Sequence, residues 1–153
     1  MPKDLDPRPC SIADALRVVG GTWTLLVIRE LFYNANRFDA IVRNTGISRD
    51  ILATRLRALT DAGVVTRERY HDHPPRYEYS LTAKGRDLTG VLFTLMNWGD
   101  THLNADAPPV RWTHSCGSTL TPMVVCGDCR EPAKDHIHSP TGHGAVHIQS
   151  IED

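Results

Sequence analysis

Three observations predict a mainly helical α+β fold. Apolar residues at helical spacing, with recognisable start and stop signals, fill most of the first sixty positions. Two short runs rich in β-branched and aromatic residues then flank "DHPP" (Asp72 to Pro75). A long apolar stripe follows, made of Leu88, Val91, Leu92, Leu95 and Trp98.

Ser11 reads as an N-cap, with Asp14 near the positive end of the helix it opens. Ile12, Leu16 and Val19 fall on one face, and Gly20-Gly21 ends that helix. The next segment, "TWTLLVIRELF", is apolar nearly all round, which predicts a helix buried among several neighbours. A short helix is expected over Arg37 to Asn44. "TGIS" then supplies a tight turn at Thr45-Gly46 and a fresh N-cap at Ser48. The helix after it runs to about Ala62, with Leu52, Leu56 and Leu59 as its inner stripe and Gly63 as its stop. Two helices joined by a short glycine-containing turn form a helix-turn-helix.

"VVTRERYH" (Val64 to His71) and "RYEYSL" (Arg76 to Leu81) read as paired strands. Pro74 and Pro75 cannot donate to a strand ladder, so they belong at the tip. A hairpin directly after the second helix of a helix-turn-helix is a wing. Thr82 is expected to cap one long helix reaching about Leu103. Its stripe is longer than a small domain needs for its own core, so it serves either the first two helices or a second copy of the chain. The full expectation is a winged helix-turn-helix with a long C-terminal dimerisation helix and a small zinc-ribbon-like appendage. The boundaries are residues 10–103 for the winged domain, 110–132 for the Cys-rich appendage and 133–153 for a polar tail read as flexible.

Composition limits the function classes. The chain has 153 residues, 41% of them hydrophobic and 23% charged, an ordinary globular mix that buries one core. No run of about 18 apolar residues exists, so no membrane span is expected. The N-terminal stretch has no apolar segment of the signal-peptide kind. Four cysteines without an export signal point to a reducing cytoplasm, where clustered thiols are more often ligands than disulfides. The net charge of −1 hides an uneven distribution. Arg37 to Arg86 carries ten Lys/Arg against six Asp/Glu, and Asn104 to Asp153 carries three against six. A basic middle suits a polyanionic partner.

Three motifs together, "GGTWTLLVIRELF", "RFDAIVRNTGISRDILATRLRALTDAGVVTRERY" and "PPRYEYSLTAKGRDL", resemble the HxlR family of bacterial winged helix-turn-helix regulators over roughly Cys10 to His102. The resemblance implies a homodimer bound to double-stranded operator DNA, with no enzymatic activity. On the apolar pattern, the two copies would meet through the first helix and the stripe Leu88, Val91, Leu92, Leu95 and Trp98. One departure is visible: Thr22 stands where the family usually has Lys.

If Leu52, Leu56 and Leu59 face the core, then Arg49, Asp50, Ala53, Thr54 and Arg57 lie on the outer face that enters a major groove. Arg can pair bidentately with guanine, and Thr or Ala can pack on a thymine methyl. Ser48 can donate to a phosphate, while Arg55, beside the core leucines, should bring its head out at the backbone. Arg37 is a further phosphate candidate, and Arg69, His71, His73 and Arg76 could follow the minor groove. For any single arginine, a surface ion pair is an equal alternative; for the set, nucleic-acid binding is the better reading. Trp23 and Trp98 read as packing residues, and the sequence names no small-molecule effector.

Cys10, beside a helix N-terminus, sits where some members of the resembled family carry a redox-sensing cysteine; a small buried hydrophobe is the plain alternative. In "HSCGSTLTPMVVCGDC", Cys126 and Cys129 form a C-x2-C knuckle and Cys116 half of another, with "STLTPMVV" read as a short strand pair. Three thiolates and a nitrogen suit a structural zinc, with His114 as fourth ligand and His136 or His138 as substitutes. A metal-free ribbon is the competing reading. No H-E-x-x-H or H-x-E…C-x-x-C pattern supports metal-dependent catalysis. A metal-binding or protein-interaction adaptor on a winged-helix scaffold is the alternative function.

Overall fold

The computed structural model describes residues 8–134 and holds six helices and one two-stranded sheet there. The chain divides into two compact units, Val18–Pro122 and Met1–Arg17 with Met123–Asp153.

The larger unit is built on α2 (Thr22–Phe32), which packs on α3 (Phe38–Thr45) and α4 (Arg49–Asp61). The wing follows as β1 (Val65–His71) and β2 (Arg76–Leu81), antiparallel, with Val65 opposite Leu81 and Arg69 opposite Tyr77. The core runs through Val27, Ile28, Leu31, Ile41, Ile47, Leu52, Leu56, Leu59 and Val64. Leu52, Leu56 and Leu59 face inward as their 4-3 spacing requires. Gly63 adopts φ +69, which ends α4 and turns the chain into the wing.

The helix expected from Thr82 to Leu103 comes in two pieces, α5 (Ala83–Arg86) and α6 (Thr89–His102). Thr82 does cap, accepting from the Gly85 N–H at 3.1 Å. The interruption lies at Asp87-Leu88. There the Leu88 N–H reaches back to Gly85 O at 3.2 Å in a tighter turn, and the Thr89 hydroxyl takes the Arg86 carbonyl at 2.7 Å. Gly85 is buried against the wing: a Cβ there would stand 2.3 Å from Val64 O. Only glycine permits that approach.

The stripe on α6 is split. Leu88 and Leu92 pack on the core cluster, whereas Val91, Leu95 and Trp98 are 47%, 51% and 54% exposed. In α1 (Ser11–Val19), Val19 is buried and Ile12 and Leu16 are 71% and 55% exposed. The cap assignment there moves by one residue. The Asp14 N–H bonds Cys10 O at 3.0 Å, so Cys10 holds the cap position and Ser11 is the first helical residue.

The strand pair expected within "STLTPMVV" is absent among the described residues. Two separate tight turns stand in its place, each closed by one β-bridge: Thr113 with Thr119 and Val125 with Pro132. Pro122 interrupts the intervening segment and removes a donor that a ladder needs.

Candidate nucleic-acid interface

The turn between α3 and α4 is fixed locally. Gly46 takes φ +73 and its N–H closes on Val42 O at 2.9 Å. The Thr45 hydroxyl donates to Ile41 O at 2.7 Å and accepts from the Ile47 N–H at 3.2 Å. Ile47 is buried and anchors the turn. Ser48 is the N-cap of α4, its Oγ accepting from the Ile51 N–H at 3.3 Å. These contacts set the angle at which α4 leaves α3.

The outer face of α4 is uncovered: Arg49, Asp50, Ala53, Thr54 and Arg57 are all exposed. Their situations differ. Arg57 has no ion pair among the described residues and shares a hollow with Arg67 of the wing. Arg49 donates to Asp39 of α3 at 2.7 Å and lies over the Phe38 ring at 5.5 Å. Both partners of that pair are largely exposed, so water screens it and it is weak. The Thr54 hydroxyl donates to Asp50 O at 2.9 Å, which leaves its oxygen free to accept. Arg55 is half-buried, with its Nε enclosed and unpartnered and its guanidinium against Gly21 at the start of α2.

A groove of about 620 Å³ runs from α3 to the wing and carries four arginines, Arg37, Arg43, Arg49 and Arg76. Tyrosines hold several of the neighbouring cations in place: Arg37 lies 4.7 Å over Tyr70, Arg67 4.3 Å over Tyr77 and Arg69 5.9 Å over Tyr77. Arg37 also reaches Glu78 at 3.2 Å, and Arg69 reaches Asp72 at 3.6 Å. His73 is exposed at the tip, and His71 Nδ1 lies 3.0 Å from Pro74 O. The sequence reading missed Arg43 and Arg67. Arg67 was findable, since it shares the strand face of Arg69 two residues away.

The remaining candidates lie elsewhere. Cys10 is half-buried, and all four cysteines are free thiols. In the larger unit, His114 Nδ1 lies 3.2 Å from Cys116 Sγ, and the backbone N–H of Ser118 holds the Cys116 thiol below its ordinary range. In the smaller unit, the Cys129 N–H, with that of Asp128, lowers the Cys126 thiol in the same way. Glycine-bearing knuckles aim amides at sulfur in this manner. Among the described residues no three His, Cys, Asp or Glu side chains gather as a metal-holding group. His136 and His138 lie outside the described residues. No single described helix is long and apolar enough to cross a membrane.

A helix-turn-helix with an exposed basic second helix, continued by an arginine-bearing wing, defines a winged helix-turn-helix transcriptional regulator. The chain belongs to the HxlR-like helix-turn-helix family, whose model matches residues 18–107. It is 42% identical over 123 residues to the uncharacterized HTH-type transcriptional regulator Mb3122 of Mycobacterium bovis, covering 79% of this chain and 78% of that one. Among solved structures it is similar to PA1607, a candidate transcription factor. That match has a TM-score of 0.73 and 31% identity over 86% of this chain and 95% of the other. It is also similar to the redox regulator HypR in its reduced form, with a TM-score of 0.53 and 35% identity over 63% and 95% of the two chains.

Proposed function

We propose that the chain binds double-stranded operator DNA as a homodimer, with α4 in the major groove and the wing along the backbone. The observation that carries this reading is the continuous uncovered basic surface from Arg57 on α4, across the four-arginine groove, to the wing. In this arrangement Arg49 and Arg57 face base edges, with Ala53 and Thr54 beside them for thymine methyls. Ser48, Arg37, Arg55, Arg69, His73 and Arg76 serve the phosphates, and Asp50 at the helix start disfavours misplaced phosphate. The ion pairs of Arg37, Arg49 and Arg69 support rather than oppose this role. They are exposed, and phosphate oxygens compete with the carboxylates at little cost.

Exposed Val91, Leu95 and Trp98, with Ile12 and Leu16 on α1, supply the apolar surface for the second copy. A dimer doubles the phosphate contacts and matches a two-fold operator. Redox response through Cys10 is supported by its place at the N-terminus of α1 and by the likeness to HypR. A structural zinc on Cys116, Cys126, Cys129 and His114 is supported by donor chemistry, three thiols and an imidazole, and by amides that favour the thiolates.

A gel-shift assay with DNA from upstream of the chain's own gene tests the reading. A shifted band that resists unlabelled nonspecific competitor supports it. Equal competition by any DNA contradicts it. Elemental analysis of protein purified without added metal tests the zinc: near one equivalent supports it, and a few tenths or less contradicts it.

A further inference from the structure

Away from the basic face, the larger unit holds a second concave site. A cavity of about 300 Å³ lies between α2, α6 and the segment Pro109 to Trp112. That last wall lies beyond the residues the family model matches, so the family's shared core does not supply it. Four rings form the apolar side. Phe32 and Phe93 meet edge to face at 5.6 Å, and Trp112 packs on Tyr33 at 5.5 Å and on Phe93 at 5.8 Å. The indole N–H of Trp112 is buried without a partner, so its ring is held by aromatic packing and not by a side-chain hydrogen bond.

Two charged side chains line the cavity, Arg29 and Asp100. They are not equivalent. Arg29 is already matched by Glu30, 2.7 Å away, a buried carboxylate whose other oxygen accepts from Asn44 at 2.8 Å. Asp100, near the C-terminal end of α6, has no ion pair or side-chain hydrogen bond among the described residues. It also sits where the helix dipole adds negative potential. The field offered to an occupant is therefore that of one unmatched carboxylate beside aromatic rings. Ring faces attract cations, and apolar walls attract a flat body. The one cationic group in the lining, the Arg29 guanidinium, is already paired.

We propose that this cavity is a binding site for a flat aromatic organic cation, with Asp100 taking the charged group and the Phe32–Tyr33–Phe93–Trp112 cluster taking the ring system. Its volume is at the small end for ligand sites and suits about two fused rings. Leu95 belongs both to this cavity and to the exposed apolar surface assigned to the second copy.

The test is calorimetric titration of the full chain with naphthylmethylammonium, naphthylmethanol and naphthoate, which share one body and differ in charge. The cation should bind roughly tenfold tighter than the alcohol, and the anion weakest. Asp100→Asn should bring the cation to the level of the alcohol while leaving the alcohol unchanged. Trp112→Leu should weaken both several-fold. Binding of the anion as tight as the cation, a cation preference that survives Asp100→Asn, or no heat from any of the three at millimolar concentration each overturns the proposal. No DNA enters the titration, so its failure leaves the operator reading standing, and the converse holds.

Discussion

At the scale of single residues, the arginines separate into roles that their positions dictate. Arg57 forms no ion pair among the described residues and stands on the outer face of α4, so Arg57→Ala should weaken specific DNA binding by about 1–3 kcal/mol and relax sequence preference. Arg76 lies in the groove by the wing, so Arg76→Ala should weaken binding to all sequences and reduce the salt slope by about one. Fluorescence anisotropy across a salt series, with operator and scrambled duplexes, separates the two effects. The cysteines make a pH prediction. Backbone amides hold the Cys126 and Cys116 thiols down, and their thiolates therefore persist to lower pH than that of an ordinary cysteine. In chelator-treated protein their alkylation should begin at lower pH than that of a model thiol and saturate earlier as pH rises. Mass-resolved alkylation across the pH range checks this; a model-thiol profile at both positions would count against the amide contacts. Residue identity was legible in sequence where it rested on local pattern. Ser48, Gly46 and the three leucines of α4 announce themselves by spacing. The pairing of Arg49 with Asp39 and the tucking of Arg55 against Gly21 were not legible, because each partner comes from another helix.

At the scale of elements, the joints carry the argument. Glu30 ties α2 to α3 through Asn44 and is buried. Glu30→Ala removes the charge-assisted hydrogen bonds that this buried carboxylate accepts from Arg29 and Asn44, at a cost of about 1–3 kcal/mol in urea denaturation; Glu30→Gln keeps an acceptor and should cost less. Gly85 lets α5 lie against the carbonyl of Val64. Gly85→Ala should destabilise by roughly 1–3 kcal/mol, although alanine ordinarily favours a helix. A neutral or stabilising result would show that α5 is not held this closely to the wing. Helices and strands were legible because period, caps and prolines are local. The break at Asp87-Leu88 was not, since it depends on Gly85 meeting the wing and on the Thr89 hydroxyl replacing a helix bond. The apolar stripe of α6 likewise reads as one face in sequence. The packing of Leu88 and Leu92 alone divides it from Val91, Leu95 and Trp98.

At the scale of the whole molecule, the proposed dimer would set its two copies of α4 about one DNA turn, ~34 Å, apart. The exposed apolar residues on α6 and α1 should be covered in solution, so light scattering should give twice the chain mass at micromolar concentration. Trp98→Glu should shift it toward the monomer and reduce operator affinity. A wild-type monomer would contradict the assembly. The central claim, that the basic face from α4 to the wing binds DNA, has one most direct measurement: the salt dependence of operator affinity. With several arginines on phosphates in each copy, log affinity should fall linearly with log salt, at a slope of magnitude roughly six or more for the dimer. A slope near zero, or the same affinity for operator and scrambled duplex at every salt concentration, would contradict the claim.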